Sequence, residues 1–130
     1  MKLDQIDHIA IIVTDLDKAE DFYVNKLGFT IIRKEYRQDR NDTIVMLSTG
    51  ESENSIKLEL FAEKNSPARV SHPEACGLRH LAFHVDDVEK AVLTLKEKGI
   101  ECEPVRTDPY THNRMTFFHD PDGLPLELHE

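Results

Sequence analysis

The stretch 77–92, GLRHLAFHVDDVEKAV, decides the reading of this chain once it is laid on residues 8–19, HIAIIVTDLDKA. With a displacement of 72 positions, His8 falls on His80, Ala10 on Ala82 and Val13 on Val85. Asp15 falls on Asp87, Lys18 on Lys90 and Ala19 on Ala91, so six of twelve positions are identical. Ile9/Leu81, Ile11/Phe83, Leu16/Val88 and Asp17/Glu89 keep their character. A repeat of this kind fixes architecture before any single element does. Two copies, each near half the chain, predict two related modules rather than a solenoid: module 1 over about 5–63, a linker over about 64–77, and module 2 over about 78–130.

Within each module the same order of elements is expected. Residues 6–13 are rich in β-branched side chains and read as a strand, with His8, Ala10 and Ile12 on one face and Ile9, Ile11 and Val13 on the other. Asp15 is the expected cap of a helix whose apolar stripe is Leu16, Ala19, Phe22, Tyr23 and Leu27, and Gly28 stops it. Strands are expected over 29–36, 43–48 and 55–62, with polar loops between. Residues 63–77, EKNSPARVSHPEACG, break the pattern as a linker. Residues 80–85 restart it. Asp86 or Asp87 caps a second helix with a stripe of Val88, Ala91, Val92 and Leu95, ended by Gly99. Strands follow at 100–105, 114–119 and 124–129, the last two joined by the turn Asp120-Pro121-Asp122-Gly123. Each half thus reads β-α-β-β-β.

Composition narrows the function classes. The chain has 130 residues, 39% hydrophobic and 32% charged, with a net charge of −9. That balance disfavours nucleic acid, which rewards Lys/Arg patches, and offers no basic amphipathic helix to a membrane surface. No apolar run approaches the ~20 residues of a membrane-spanning helix. MKLDQIDH lacks the apolar core of a signal peptide, so a cytoplasmic setting is expected, with Cys76 and Cys102 as reduced thiols.

Four residues carry chemistry in pattern: His8, Glu59, His80 and Glu127. Each histidine opens the first strand of its half, and each glutamate lies in the last. Their immediate neighbours are apolar (Ile9, Leu58/Leu60, Leu81, Leu126/Leu128), so alternation puts all four on the opposite, concave side. An imidazole or carboxylate on an inner face needs a partner. A divalent metal serves two imidazoles and two carboxylates, and a donor set without thiolate suits Zn, Ni, Co, Fe or Mn. Any one of these residues alone reads more readily as a hydrogen-bonded or solvated side chain. The repeat argues for the set. His84 shares the face of His80 and is a pocket candidate. His72 and His112 read as loop residues, and His119 and His129 as strand-end residues.

The paired H-x-A-x-x-V-x-D starts, LELF at 58–61 and FFHDPDGLPLELHE at 117–130 resemble the vicinal oxygen chelate superfamily of glyoxalase I, bleomycin-resistance proteins and extradiol dioxygenases. The resemblance spans essentially the whole chain. HPEACGLRHLAFHVDD and DPYTHNRMTFFHDPDGLPLELHE resemble its small bacterial glyoxalase-like subfamily. It implies an α+β fold, a single domain of paired βαβββ modules whose curled mixed sheets enclose a metal-binding cleft. It implies that His8, Glu59, His80 and Glu127 are the metal ligands, that Glu127 is the base with Glu59 as second candidate, and that a metal-stabilised enediolate is formed. Phe61, His84, Tyr110, Arg114 and Phe117 are candidates for the substrate pocket. The substrate the resemblance implies is a small oxygenated molecule, with a thiol hemithioacetal of methylglyoxal among the candidates. Ile12 and Glu63 stand where glyoxalase I has an Arg and an Asn for glutathione, which argues against the glutathione adduct and leaves open another thiol adduct or another small oxygenated molecule.

The leading expectation is a metal-dependent, glyoxalase I-like lyase or isomerase, with a thiol co-substrate left open. The alternatives are a thiol transferase of the fosfomycin-resistance kind, which normally lacks an acid at the Glu59 position, an Fe²⁺ extradiol dioxygenase, and a non-catalytic binding module of the bleomycin-resistance kind. The expected partners are a small-molecule substrate and a second copy of the chain, with no nucleic acid and no membrane.

Overall fold

The computed structural model describes residues 1–130. They form two compact units, Met1–Pro67 and Ala68–Glu130.

The first unit holds β1 (His8–Val13), α1 (Leu16–Glu20), β2 (Thr30–Arg37), β3 (Asp42–Ser48) and β4 (Lys57–Ala62). Its sheet runs β1-β4-β3-β2. β1 and β4 are parallel, and the other pairs are antiparallel. The second unit repeats this with β5 (Leu81–His84), α2 (Val88–Glu97), β6 (Arg106–Thr107), β7 (Arg114–His119) and β8 (Pro125–His129), in the order β5-β8-β7-β6. β5 and β8 are again the parallel pair. Neither sheet closes on itself, and each unit is an α+β arrangement built on one mixed four-stranded sheet, as expected.

Local signals place the helices. The Asp15 side chain accepts a hydrogen bond from the Lys18 amide at 3.1 Å, and Asp87 from the Lys90 amide at 2.9 Å. Each cap satisfies an amide that the first turn leaves free. Gly28 and Gly99 follow the helices at φ 82° and 74°, where a Cβ would be strained.

Two elements differ from expectation. The first helix is α-helical for only five residues and continues as a π-helical segment, Asp21–Lys26. There the Leu27 amide donates to the Phe22 carbonyl at 2.9 Å. The wider turn lets the adjacent rings of Phe22 and Tyr23 both enter the core, edge to face at 5.0 Å. The strand expected over 100–105 is absent, and only Arg106–Thr107 pairs with β7. Pro104 has no amide to give a ladder. Pairing upstream reduces to the Glu103 amide on the Phe117 carbonyl at 2.8 Å and the Thr116 hydroxyl on the Glu103 carbonyl at 2.7 Å.

Alternation gives each sheet a core face and a second face. Ile11, Val13, Val45, Leu47, Leu58 and Leu60 are buried in the first unit. Leu126, Leu128 and Phe118 are their counterparts in the second. The neighbours of these residues along each strand lie on the second face, and that is where the polar candidates stand.

Candidate functional site

Register brings each histidine to its glutamate. In the first unit Ala10 is the strand partner of Glu59, and in the second Ala82 is the partner of Glu127. The histidine lies two residues earlier in both cases, on the same face as the carboxylate. His8 Nε2 stands 3.5 Å from Glu59 Oε2, and His80 Nε2 stands 2.9 Å from Glu127 Oε2. The carboxylates are well shielded, with side chains 13% and 9% exposed. No Lys or Arg forms an ion pair with either one.

The outer ring nitrogens differ. His8 Nδ1 is 2.7 Å from Asp7 Oδ2, and because a carboxylate only accepts, Nδ1–H is the donor in this contact. This hydrogen bond, helped by Lys57, holds the Asp7 carboxyl below the usual carboxylate range. His80 Nδ1 faces Arg79 Nη1 at 3.2 Å and accepts from it, which leaves Nε2–H to donate to Glu127. Nothing in the repeat announces this asymmetry. The signal is the residue just before each histidine, Asp7 in one half and Arg79 in the other.

The donor chemistry suits a divalent metal. The spacings of 3.5 and 2.9 Å are those of a long ion-pair contact and a hydrogen bond, between imidazole and carboxylate groups of the kinds a divalent metal accepts. No three or more His, Cys, Asp or Glu side chains gather in the structure, so the four expected ligands are brought together only as two His–Glu pairs, one in each unit.

The other candidates divide. Phe117 is the strand partner of Glu127, and its ring meets the His80 ring edge to face at 5.2 Å. Phe61 is on the face of Glu59, under the Arg37 guanidinium at 5.2 Å. Arg37 is clamped by Asp42 through bonds of 2.7 and 2.5 Å, which hold the Asp42 carboxyl below its ordinary range and push Arg37 up. His84 is on the expected face but exposed, with only Asp86 near, at 3.9 Å. Tyr110 is 91% exposed on a loop and does not reach Glu127. Arg114 corrects the expectation. It shares the core face of β7 with Thr116 and Phe118 and pairs with Glu89 of α2 at 2.6 Å, whereas Phe117 and Glu127 lie on the opposite face. Arg114 and Phe117 are three positions apart, an odd offset, so strand alternation alone sets them on opposite faces.

Two features escaped the sequence reading. His129 Nε2 lies 3.2 Å from Asp108 Oδ2, and Asp108 also accepts the Tyr110 amide at 2.7 Å, tying the 108–113 loop to β8. The Tyr110 amide, then His129, hold Asp108 below its ordinary range, while Asp108 pushes His129 up. The second feature is a concavity of about 360 Å³ in the second unit, lined by Phe117 and several arginines. A wider groove of about 1260 Å³ in the first unit is lined by Tyr36, Arg40, Glu63 and neighbours, but by neither His8 nor Glu59.

Residues 5–128 match the profile of the Glyoxalase/Bleomycin resistance protein/Dioxygenase superfamily. The chain belongs to this superfamily. It is 53% identical over 130 residues to the uncharacterized protein YwkD of Bacillus subtilis (strain 168), covering 100% of this chain and 99% of that one. It is 27% identical over 131 residues to the mitochondrial methylmalonyl-CoA epimerase of Bos taurus, covering 98% and 75%. It is 31% identical over 124 residues to the lactoylglutathione lyase of Neisseria meningitidis serogroup A, covering 93% and 86%. Among solved structures, the glyoxalase family protein from Enterococcus faecalis superposes with a TM-score of 0.93 at 48% identity, covering 100% of both chains. Members of the superfamily bind small molecules, generally with a divalent metal, and no helix here is long and apolar enough to cross a membrane.

Proposed function

We propose that this member of the superfamily is a metal-dependent enzyme of the glyoxalase type, a lyase or isomerase that moves a proton next to a carbonyl in a small oxygenated molecule. The observation that carries this reading is the pair of shielded carboxylates, Glu59 and Glu127, each beside an imidazole nitrogen and neither balanced by Lys or Arg. Such carboxylates are costly to desolvate without a cation. His8, Glu59, His80 and Glu127 would hold a divalent ion. That ion would polarise a substrate oxygen and acidify the adjacent C–H.

The chain's own groups do the rest. Glu127, the more shielded carboxylate, takes and returns the proton at Oε, and Glu59 is the second candidate. Phe117 screens the His80–Glu127 pair from water on one side. Asp7 orients the His8 ring through its contact with Nδ1.

The similarity to an epimerase supports a second reading, inversion at a carbon beside a carbonyl, which uses the same proton transfer. A thiol transferase of the fosfomycin-resistance kind is less well supported, because Glu59 stands within reach of His8. A binding module would have no use for the paired donors. We further read the chain as a single domain of paired modules that works as a homodimer. In support, Ile12 on the face of Glu59 is 53% exposed, an apolar surface a second copy would cover. The free thiols of Cys76 and Cys102 suit the cytoplasm.

The test is elemental analysis of the purified protein with a metal-by-metal screen on methylglyoxal and several thiols, and an α-proton exchange assay on acyl thioesters. One equivalent of divalent metal and metal-dependent proton transfer are expected. A protein that retains no divalent ion and exchanges no α-proton with any metal would refute the reading.

A further inference from the structure

The 360 Å³ concavity of the second unit has an unusual charge for a chain of net −9. Its walls carry three guanidinium groups, Arg69, Arg79 and Arg106, with the imidazoles of His72 and His119. Only Glu74 and Glu103 oppose them. Arg79 pairs with Glu74 at 3.0 Å and Arg106 with Glu103 at 3.1 Å, and both carboxylates are solvated, with side chains 55% and 43% exposed. Arg69 is different. No carboxylate lies within ion-pair distance of it, and its Nη2 donates to the carbonyls of Leu78 at 2.7 Å and Arg79 at 2.9 Å. The group is therefore fixed in place with its charge unanswered.

His80 and Glu127 do not line the concavity, but two of its wall residues, Phe117 and Arg79, touch His80. The Phe117 ring lies 5.4 Å from Arg106 Cζ on one side and 5.2 Å from the His80 ring on the other. Arg79 Nη1 reaches His80 Nδ1 at 3.2 Å. A molecule with its reactive end at Glu127 could extend past Phe117 into this basic recess. Guanidinium forks match the paired oxygens of carboxylates and phosphates, and Arg69, whose charge no carboxylate answers, leaves the walls with one guanidinium in excess of the two carboxylates.

We propose that Arg69, Arg79 and Arg106 hold an anionic group of the substrate, a phosphate or carboxylate, beside the His80–Glu127 pair. This rests on the proton-transfer reading for its biological use, but the anion site is a property of the second unit alone.

The test is calorimetric titration of the full chain with inorganic phosphate and, separately, malonate, as isolated and again with chelator. Saturable binding that survives chelator is expected, and the tighter probe assigns the head group. Arg69→Gln and Arg106→Gln should each weaken it about tenfold or more, the effect of removing one hydrogen bond to a charged group. Arg106 lies on an exposed edge, so its variant keeps the test valid should Arg69→Gln disturb the segment it anchors. Absence of binding by both probes, retention of full affinity in both arginine variants, or loss of binding on chelation would overturn the proposal. Anion binding without any metal-dependent turnover would instead refute only the proposed chemistry.

Discussion

Glu127→Gln separates a base from a ligand. The amide keeps the size of the side chain and still accepts the hydrogen bond that His80 Nε2 offers at 2.9 Å. The lost charge has no Lys or Arg partner to strand. Relief of desolvation therefore opposes the weakened hydrogen bond, each on the order of 1 kcal/mol, and the metal-free fold should keep its stability to within about that amount. Turnover should behave differently. Loss of a general base costs about 10²–10⁴-fold in rate, and the amide takes no proton near neutral pH. The assay is the rate on the substrate found by the metal screen, followed across a metal titration, with urea unfolding of the metal-free variant alongside. Full recovery of rate at saturating metal would show that Glu127 is a ligand only. An equal loss in Glu59→Gln would show that the two carboxylates share the proton and would refute the asymmetric assignment.

Asp7→Asn should weaken metal affinity about 10–100-fold by releasing the His8 ring, while Arg79→Gln should not weaken it; competition with a chromogenic chelator measures both. Asp87→Ala removes the cap on the Lys90 amide and should cost about 1 kcal/mol in thermal or urea unfolding. Asp42→Asn should lower the melting temperature at neutral pH. Because Arg37 depresses the folded-state carboxyl, that stabilisation is present above the ordinary Asp range and is lost as pH falls through the depressed value, so the wild-type and variant melting curves should converge in acid.

The repeat, the caps at Asp15 and Asp87, the stops at Gly28 and Gly99 and the shared face of each His and Glu were all legible in the sequence. These depend on local periods and on residues within one turn of each other. The misplacement of Arg114 beside Phe117 was avoidable by the same parity rule. The strand at 100–105 failed on a local cue too, since Pro104 interrupts its ladder. The tertiary structure alone decided what parity cannot supply. Parity chooses a face but not a position along the neighbouring strand. Only the pairing of Ala10 with Glu59 and of Ala82 with Glu127 brings each imidazole within reach of its carboxylate. The opposite hydrogen-bond roles of Asp7 and Arg79 at matching places in the two copies, one accepting from its histidine and the other donating to it, were by contrast open to a sequence reading of the residue before each histidine. The basic recess gathers residues from 69 to 125, and only the folded second unit brings charges so far apart in the chain around one concavity.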